Sequence, residues 1–130
     1  MKIDELTERI IGCAYTVYNT IGAGFLESVY KNSLLIELNK AGLHAESEKP
    51  IKVYYDKIVV GDFFADIIVD DEVIIELKAV ENLTKVHEVQ LVNYLNAMDK
   101  DVGLLINFGS STGVKVKRKY KNYRTKLQNY

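Results

Sequence analysis

The apolar residues of this chain recur first at helical spacing and then, after about residue 50, at the two-residue spacing of strands. Leu6, Ile10, Cys13, Ala14, Val17, Tyr18 and Ile21 share one face of a 3.6-residue period, which predicts a helix from about Asp4 to Thr20 with Asp4 as its N-cap. Gly22-Ala23-Gly24 breaks it. A second helix is predicted from about Leu26 to Ala41, with Leu26, Val29, Tyr30, Leu34 and Leu38 turned inward and Gly42 as the stop. Beyond Pro50 the β-rich runs are Ile51–Tyr55, Ile58–Val69, Val73–Lys78, Val102–Phe108 and Val114–Tyr120, with turns at Asp56-Lys57 and Asp70-Asp71-Glu72. One more helix, about Thr84 to Met98, lies between strands. Thr84 is its N-cap, and Val86, Val89, Leu91, Val92, Leu95 and Met98 are its apolar set. The expected order is therefore α-α-β-β-β-α-β-β, an α/β fold with a central mixed sheet flanked by helices, in one domain over residues 1–130.

Composition narrows the class of protein. A chain of 130 residues, 48% apolar and 27% charged with a single proline, is an ordinary globular protein and not a disordered one. Cys13 is the only cysteine, so one chain can form neither a disulfide nor a cysteine-built metal site, and Cys13 is expected in the core. No apolar run exceeds three residues, which gives no membrane segment and an expected cytoplasmic location. The net charge of −1 is uneven. Residues 114–130 hold seven of the 17 Lys/Arg and no acid, so the first 113 residues carry ten cations against eighteen anions. Such a basic block is either a solvated surface or a contact for nucleic acid.

The candidate chemistry sits on the most apolar strands. Val73-Ile74-Ile75-Glu76-Leu77-Lys78 reads as a central strand, yet it puts Glu76 and Lys78 on one face. Burying either charge costs several kcal/mol unless it is paired or bound to an ion. A salt bridge is the plain explanation. The preceding run, Phe63-Phe64-Ala65-Asp66-Ile67-Ile68-Val69, adds a third group in an equally apolar setting. Asp66, Glu76 and Lys78 together supply hard oxygen ligands with an amine beside them, the set needed for magnesium at a phosphodiester. One register brings the acids together. Opposing Asp66 to Glu76 in an antiparallel pair also pairs Val69 with Val73, which requires a three-residue loop or a bulge between the two acids.

These residues resemble the signature of the PD-(D/E)XK nuclease superfamily, with Asp66 followed by Glu76-Leu77-Lys78 and with Ala65 where a proline is usual. Gly24-Phe25-Leu26-Glu27-Ser28-Val29-Tyr30 further resembles the motif of the GxxExxY protein family. So do the stretches His87 to Leu95 and Gly103 to Phe108. The resemblance implies a restriction-endonuclease-like core and a metal-dependent nuclease acting on nucleic acid, DNA being the expected form. It implies Mg2+ as cofactor, with Mn2+ as a substitute, and admits a homodimer. Asp66, Glu76 and the Leu77 carbonyl would hold the metal, and Lys78 would act on water or on developing charge. Glu27 is implied on the metal side. Spacing alone makes Gln90 a surface residue and Tyr94 a core one; the resemblance places both beside the site, with Tyr94 against the nucleic acid. His87 and Tyr30 are expected behind these groups. Lys115, Lys117 and Lys119 alternate along a strand and would meet the phosphate backbone, or else simply guard an edge. The rival readings are a Holliday-junction resolvase-like dimer and a binding module that keeps the fold without turnover.

Overall fold

The change of period reappears as eight elements: α1 (Ile3–Ile21), α2 (Glu27–Lys40), β1 (Ala45–Tyr55), β2 (Ile58–Val69), β3 (Val73–Lys78), α3 (Lys85–Met98), β4 (Val102–Asn107) and β5 (Lys115–Tyr120). This computed structural model describes residues 1–122, so Arg124 and Lys126 of the basic block lie outside the described residues. The five strands form one mixed sheet in the order β1-β2-β3-β4-β5. Only β3 and β4 run parallel, and α3 is the crossover that parallel neighbours need.

Each face of the sheet has its own core. Leu6, Ile10, Ala14 and Val17 of α1 and Tyr30, Leu34 and Leu38 of α2 pack on Ile67, Val69, Val73, Ile75, Leu77, Leu104 and Ile106. On the other face Leu91, Tyr94 and Leu95 of α3 cover Ile68, Ile74 and Leu105, together with Ala65 and Ile51. Ala65 and Ile67 are two apart on one strand, yet they belong to opposite cores. The ribbon of β1 and β2 therefore turns over at Asp66, opposite Glu48, which takes a left-handed φ of 54°. Beyond that step the two strands pair only with each other and run out as a two-stranded arm, ending in a tight turn with Asp56 and Lys57 at φ 51° and 65°.

Several boundaries differ from the sequence pattern, each for a local reason. Lys2, not Asp4, occupies the N-cap position of α1; Asp4 lies inside the helix, where its carbonyl accepts from Thr7 Oγ1 and its carboxylate pairs with Arg118 of β5 at 2.9 Å. Strand β1 starts at Ala45, ahead of Pro50, because it is an edge strand and an edge tolerates a proline without an N–H. In α2 the inward stripe is the four-residue repeat Tyr30, Leu34, Leu38, which leaves Leu26 and Val29 exposed. In α3 Tyr94 joins Leu91 and Leu95 inside, while Val86 and Val89 remain 75% and 51% exposed. Strand β4 stops at Asn107 and β5 starts at Lys115, each one residue inside the expected limit.

Asn107 is the polar anchor of the fold. Fully buried, it accepts from the N–H of Val80 at 3.0 Å and of Gly109 at 3.1 Å through Oδ1, and donates to the Val80 carbonyl at 2.7 Å through Nδ2. It thereby binds the chain leaving β3 to the chain leaving β4. A Cβ on Gly109 would lie 2.3 Å from the Val80 nitrogen, so only glycine admits this crossing. Asn107→Ala strands the part-buried N–H and C=O of Val80, and urea unfolding should register a loss of about 1–3 kcal/mol; an unchanged midpoint would show that water replaces the side chain.

Candidate active site

Asp66 and Glu76 lie where β2 and β3 part. The ladder between these strands runs only over Ile67↔Ile75, Ile68↔Ile74 and Val69↔Val73. Its register opposes Asp66 to Glu76, and there side chains take over from the backbone. The Asp66 N–H donates to Glu76 Oε1 at 3.3 Å, and the Leu77 N–H donates to Asp66 Oδ2 at 2.8 Å. The three-residue loop Asp70-Asp71-Glu72 sets that register, as joining the acids requires. Asp70 and Asp71 adopt left-handed φ of 52° and 55°, which aspartate tolerates better than most residues, and Glu72 is spared. The Glu72 N–H closes the turn on the Val69 carbonyl at 2.9 Å. His44 holds it from outside, its N–H donating to Asp70 Oδ1 at 2.9 Å and its carbonyl accepting the Asp70 N–H at 2.7 Å.

The pair is electrostatically unfavourable on its own. Glu76 is 6% exposed, and burial, then the Asp66 charge, push its carboxyl up to about 8. The half-buried Lys78 opposes that shift from two residues along the strand. Leu77 points its side chain into the opposite core and leaves its backbone at the site. Tyr94 of α3 stands close enough that burial and the charges of Glu76 and Asp66 raise its hydroxyl above the usual value.

The other expected residues separate. Gln90, exposed, lines with Tyr94 a groove of about 1040 Å³ between α3 and the β1–β2 arm. His87 turns back on its own helix, its Nδ1 accepting the Thr84 N–H at 3.2 Å, and so caps α3. Tyr30 is fully buried on the far side of the sheet; it stacks on Phe108 at 4.6 Å and donates to the Gly22 carbonyl at 2.6 Å. Glu27 opens α2, exposed, just after Gly24, whose φ of 107° suits glycine alone. One turn on, Lys31 pairs at 3.1 Å with Glu48, the residue opposite Asp66. Lys115, Lys117 and Lys119 lie on the α3 side of β5, an edge strand, and Lys119 is paired with Glu88 at 3.0 Å. Sequence reasoning missed Asn107 as the anchor of the loop after Lys78, and missed the groove residues Tyr54 and Phe63, which read only as strand aromatics.

The donor set fits a hard divalent cation. Each carboxylate commits one oxygen to a backbone N–H, and burial together with the Asp66 charge disfavours ionisation of Glu76, a penalty that a cation between the two would offset. Among the described residues no group of three or more His, Cys, Asp or Glu converges. Magnesium, which keeps several waters and takes one or two carboxylates plus phosphate oxygens, suits so small a set.

The family model of the PD-(D/E)XK nuclease superfamily matches residues 4–119. The chain belongs to that superfamily. A solved structure titled "Crystal structure of SSO0001" is similar to it with a TM-score of 0.57 and 18% identity, over 75% of this chain and 52% of that one. At that identity the likeness concerns the fold, and this chain spans about half the length of that protein. No curated protein matches the sequence. Among the described residues no helix is long and apolar enough to cross a membrane.

The Glu76 shift fixes a sign for the metal-free protein. A carboxyl raised from 4.5 to about 8 on folding favours the native state fully below about pH 4.5, and that contribution is lost as pH rises through about 8. With a chelator present, Tm should fall over that window. Glu76→Gln should flatten the profile and leave the variant more stable than the parent above pH 8; parallel profiles would mean that Glu76 is already ionised.

Proposed function

We propose that the protein is a divalent-cation-dependent nuclease of the GxxExxY branch that hydrolyses phosphodiester bonds of nucleic acid, with DNA as substrate. The observation that carries this reading is the reciprocal hold of Asp66 and Glu76 at the parting of β2 and β3, with Lys78 on the same strand. In this reading Asp66, Glu76 and the Leu77 carbonyl hold Mg2+, for which Mn2+ substitutes. The bound cation supplies Lewis acidity toward a phosphate oxygen and toward water. Lys78 offsets the charge that develops on the phosphoryl oxygens, a stabilisation present only in the transition state. Gln90 orients water or a phosphate oxygen, and Tyr94 lies against the strand.

Two measurements test the assignment. Saturating Mg2+ or Mn2+ should raise Tm by several degrees, since a hundredfold excess over Kd contributes about 2.7 kcal/mol, and Glu76→Gln should lose both this shift and cleavage. Lys78→Met should keep the shift and lose ~100-fold or more in cleavage rate on a panel of single-stranded, duplex and branched substrates. Retained turnover in Lys78→Met removes that residue from the mechanism, and Tm values indifferent to either cation remove the metal site.

The exposed lysines of β5 carry a separate expectation. Replacing Lys115 and Lys117 by Ala should lower the salt dependence of binding by roughly 0.7–0.9 for each phosphate that is no longer neutralised. Lys119, held by Glu88, should contribute less. An unchanged slope assigns all three to protection of the sheet edge.

A further inference from the structure

The groove between α3 and the β1–β2 arm differs in charge from the rest of the molecule. Three lysines, Lys52, Lys85 and Lys121, line it and no acid does, although the first 113 residues carry eight more anions than cations; Lys52 pairs with Asp62 at 3.3 Å and Lys121 with Asp99, both acids outside the lining, so a phosphate entering the groove exchanges with these exposed carboxylates. Apolar and aromatic side chains share its walls with the lysines and with side-chain amides. Tyr54 and Phe63 of the arm face Val86 and Val89 of α3, and the Phe63 ring leans on Tyr94 at 5.6 Å between centroids. At about 1040 Å³ it sits at the upper limit of pockets that enclose small ligands, and it is partly open to solvent. Val86 and Val89 carry helical spacing for a core that this helix does not have on that side, and among the described residues no third strand pairs with the arm beyond Asp66. Cations around exposed aromatic surface complement a polyanion whose bases are unstacked. A duplex keeps its base faces stacked inside and would leave these rings without a partner, whereas a single strand offers one face per nucleotide. Tyr94 lines the groove and its hydroxyl feels Glu76 and Asp66, and Phe63 is three residues from Asp66 on β2.

We propose that this groove is a channel for single-stranded nucleic acid, in which bases stack on Tyr54 and Phe63 and the lysines hold phosphates, so that the carboxylate pair receives single strands or single-stranded tails. The proposal rests on the nuclease reading for its location but not for its test. Binding of a fluorescent 12-mer is measured in EDTA, without turnover, on the full chain. The single strand should bind at least tenfold more tightly than the blunt duplex and than an abasic strand with the same phosphates. Phe63→Ala and Tyr54→Ala should each weaken the single strand by ~10-fold, in the range of base–aromatic stacking, and leave the abasic strand unaffected. Both side chains are substantially exposed, at 42% and 61%, and unchanged melting confirms that the variants are folded. Equal affinity for intact and abasic strands, or no loss in either variant, overturns the proposal. So does duplex cleavage that needs Asp66 but ignores Phe63, an outcome that keeps the nuclease reading. Base-dependent binding with no cleavage of any substrate keeps the channel and fails the nuclease reading.

Discussion

Two carboxylates occupy the point at which two strands separate, and each is held by an amide of the opposite strand. This exchange replaces a ladder hydrogen bond on both sides, so the sheet can open at Asp66 and Glu76 without stranding a backbone donor. Everything around it follows from that opening. The turn of Asp70 and Asp71 sets the register that opposes the acids, His44 fixes the turn, and Asn107 fixes the chain that leaves Lys78. The cost falls on Glu76, whose ionisation beside Asp66 is disfavoured by burial and by the neighbouring charge, and a cation between the two would offset it.

Much of this was legible in the sequence because β-structure has a strict period. Opposing Asp66 to Glu76 requires by parity a loop of three residues or a bulge, and the observed pairing Val69↔Val73 is that of the three-residue loop. Helical period carries less information. It groups Val86 and Val89 with Leu91 and Leu95 but cannot say whether the covering surface exists, and here the arm stands away from that part of α3. The polar start of β1, Ala45 to Lys49, has no apolar alternation to read, since edge pairing and the Glu48 turn-over shape it. Residue type alone does not separate a capping His87 from a reacting one, nor a stacked Tyr30 from one at the site; only their partners do.

Superfamily membership accounts for the fold, while the arm and the lysine-bearing strand edge belong to this chain's own margins. The α3 side of the sheet gathers Lys78, the β5 lysines and the groove, whereas α1 and α2 seal the other side with a dry core. Bulk charge therefore says little about where a polyanion can approach this molecule. Local arrangement decides it.

The turning over of the ribbon at Glu48 and Asp66 also divides the molecule into parts that can change independently. Inside the step, a single inserted residue would rotate Asp66 away from Glu76. Outside it, the arm to Asp56 and Lys57 is bonded only to itself, so the loss or gain of one residue on each strand, together, shortens or extends the arm and leaves the hairpin below untouched. Reach is thus free to drift in length while Asp66 and Glu76 stay in register, which gives a lineage a way to remodel the arm without disturbing the carboxylate pair.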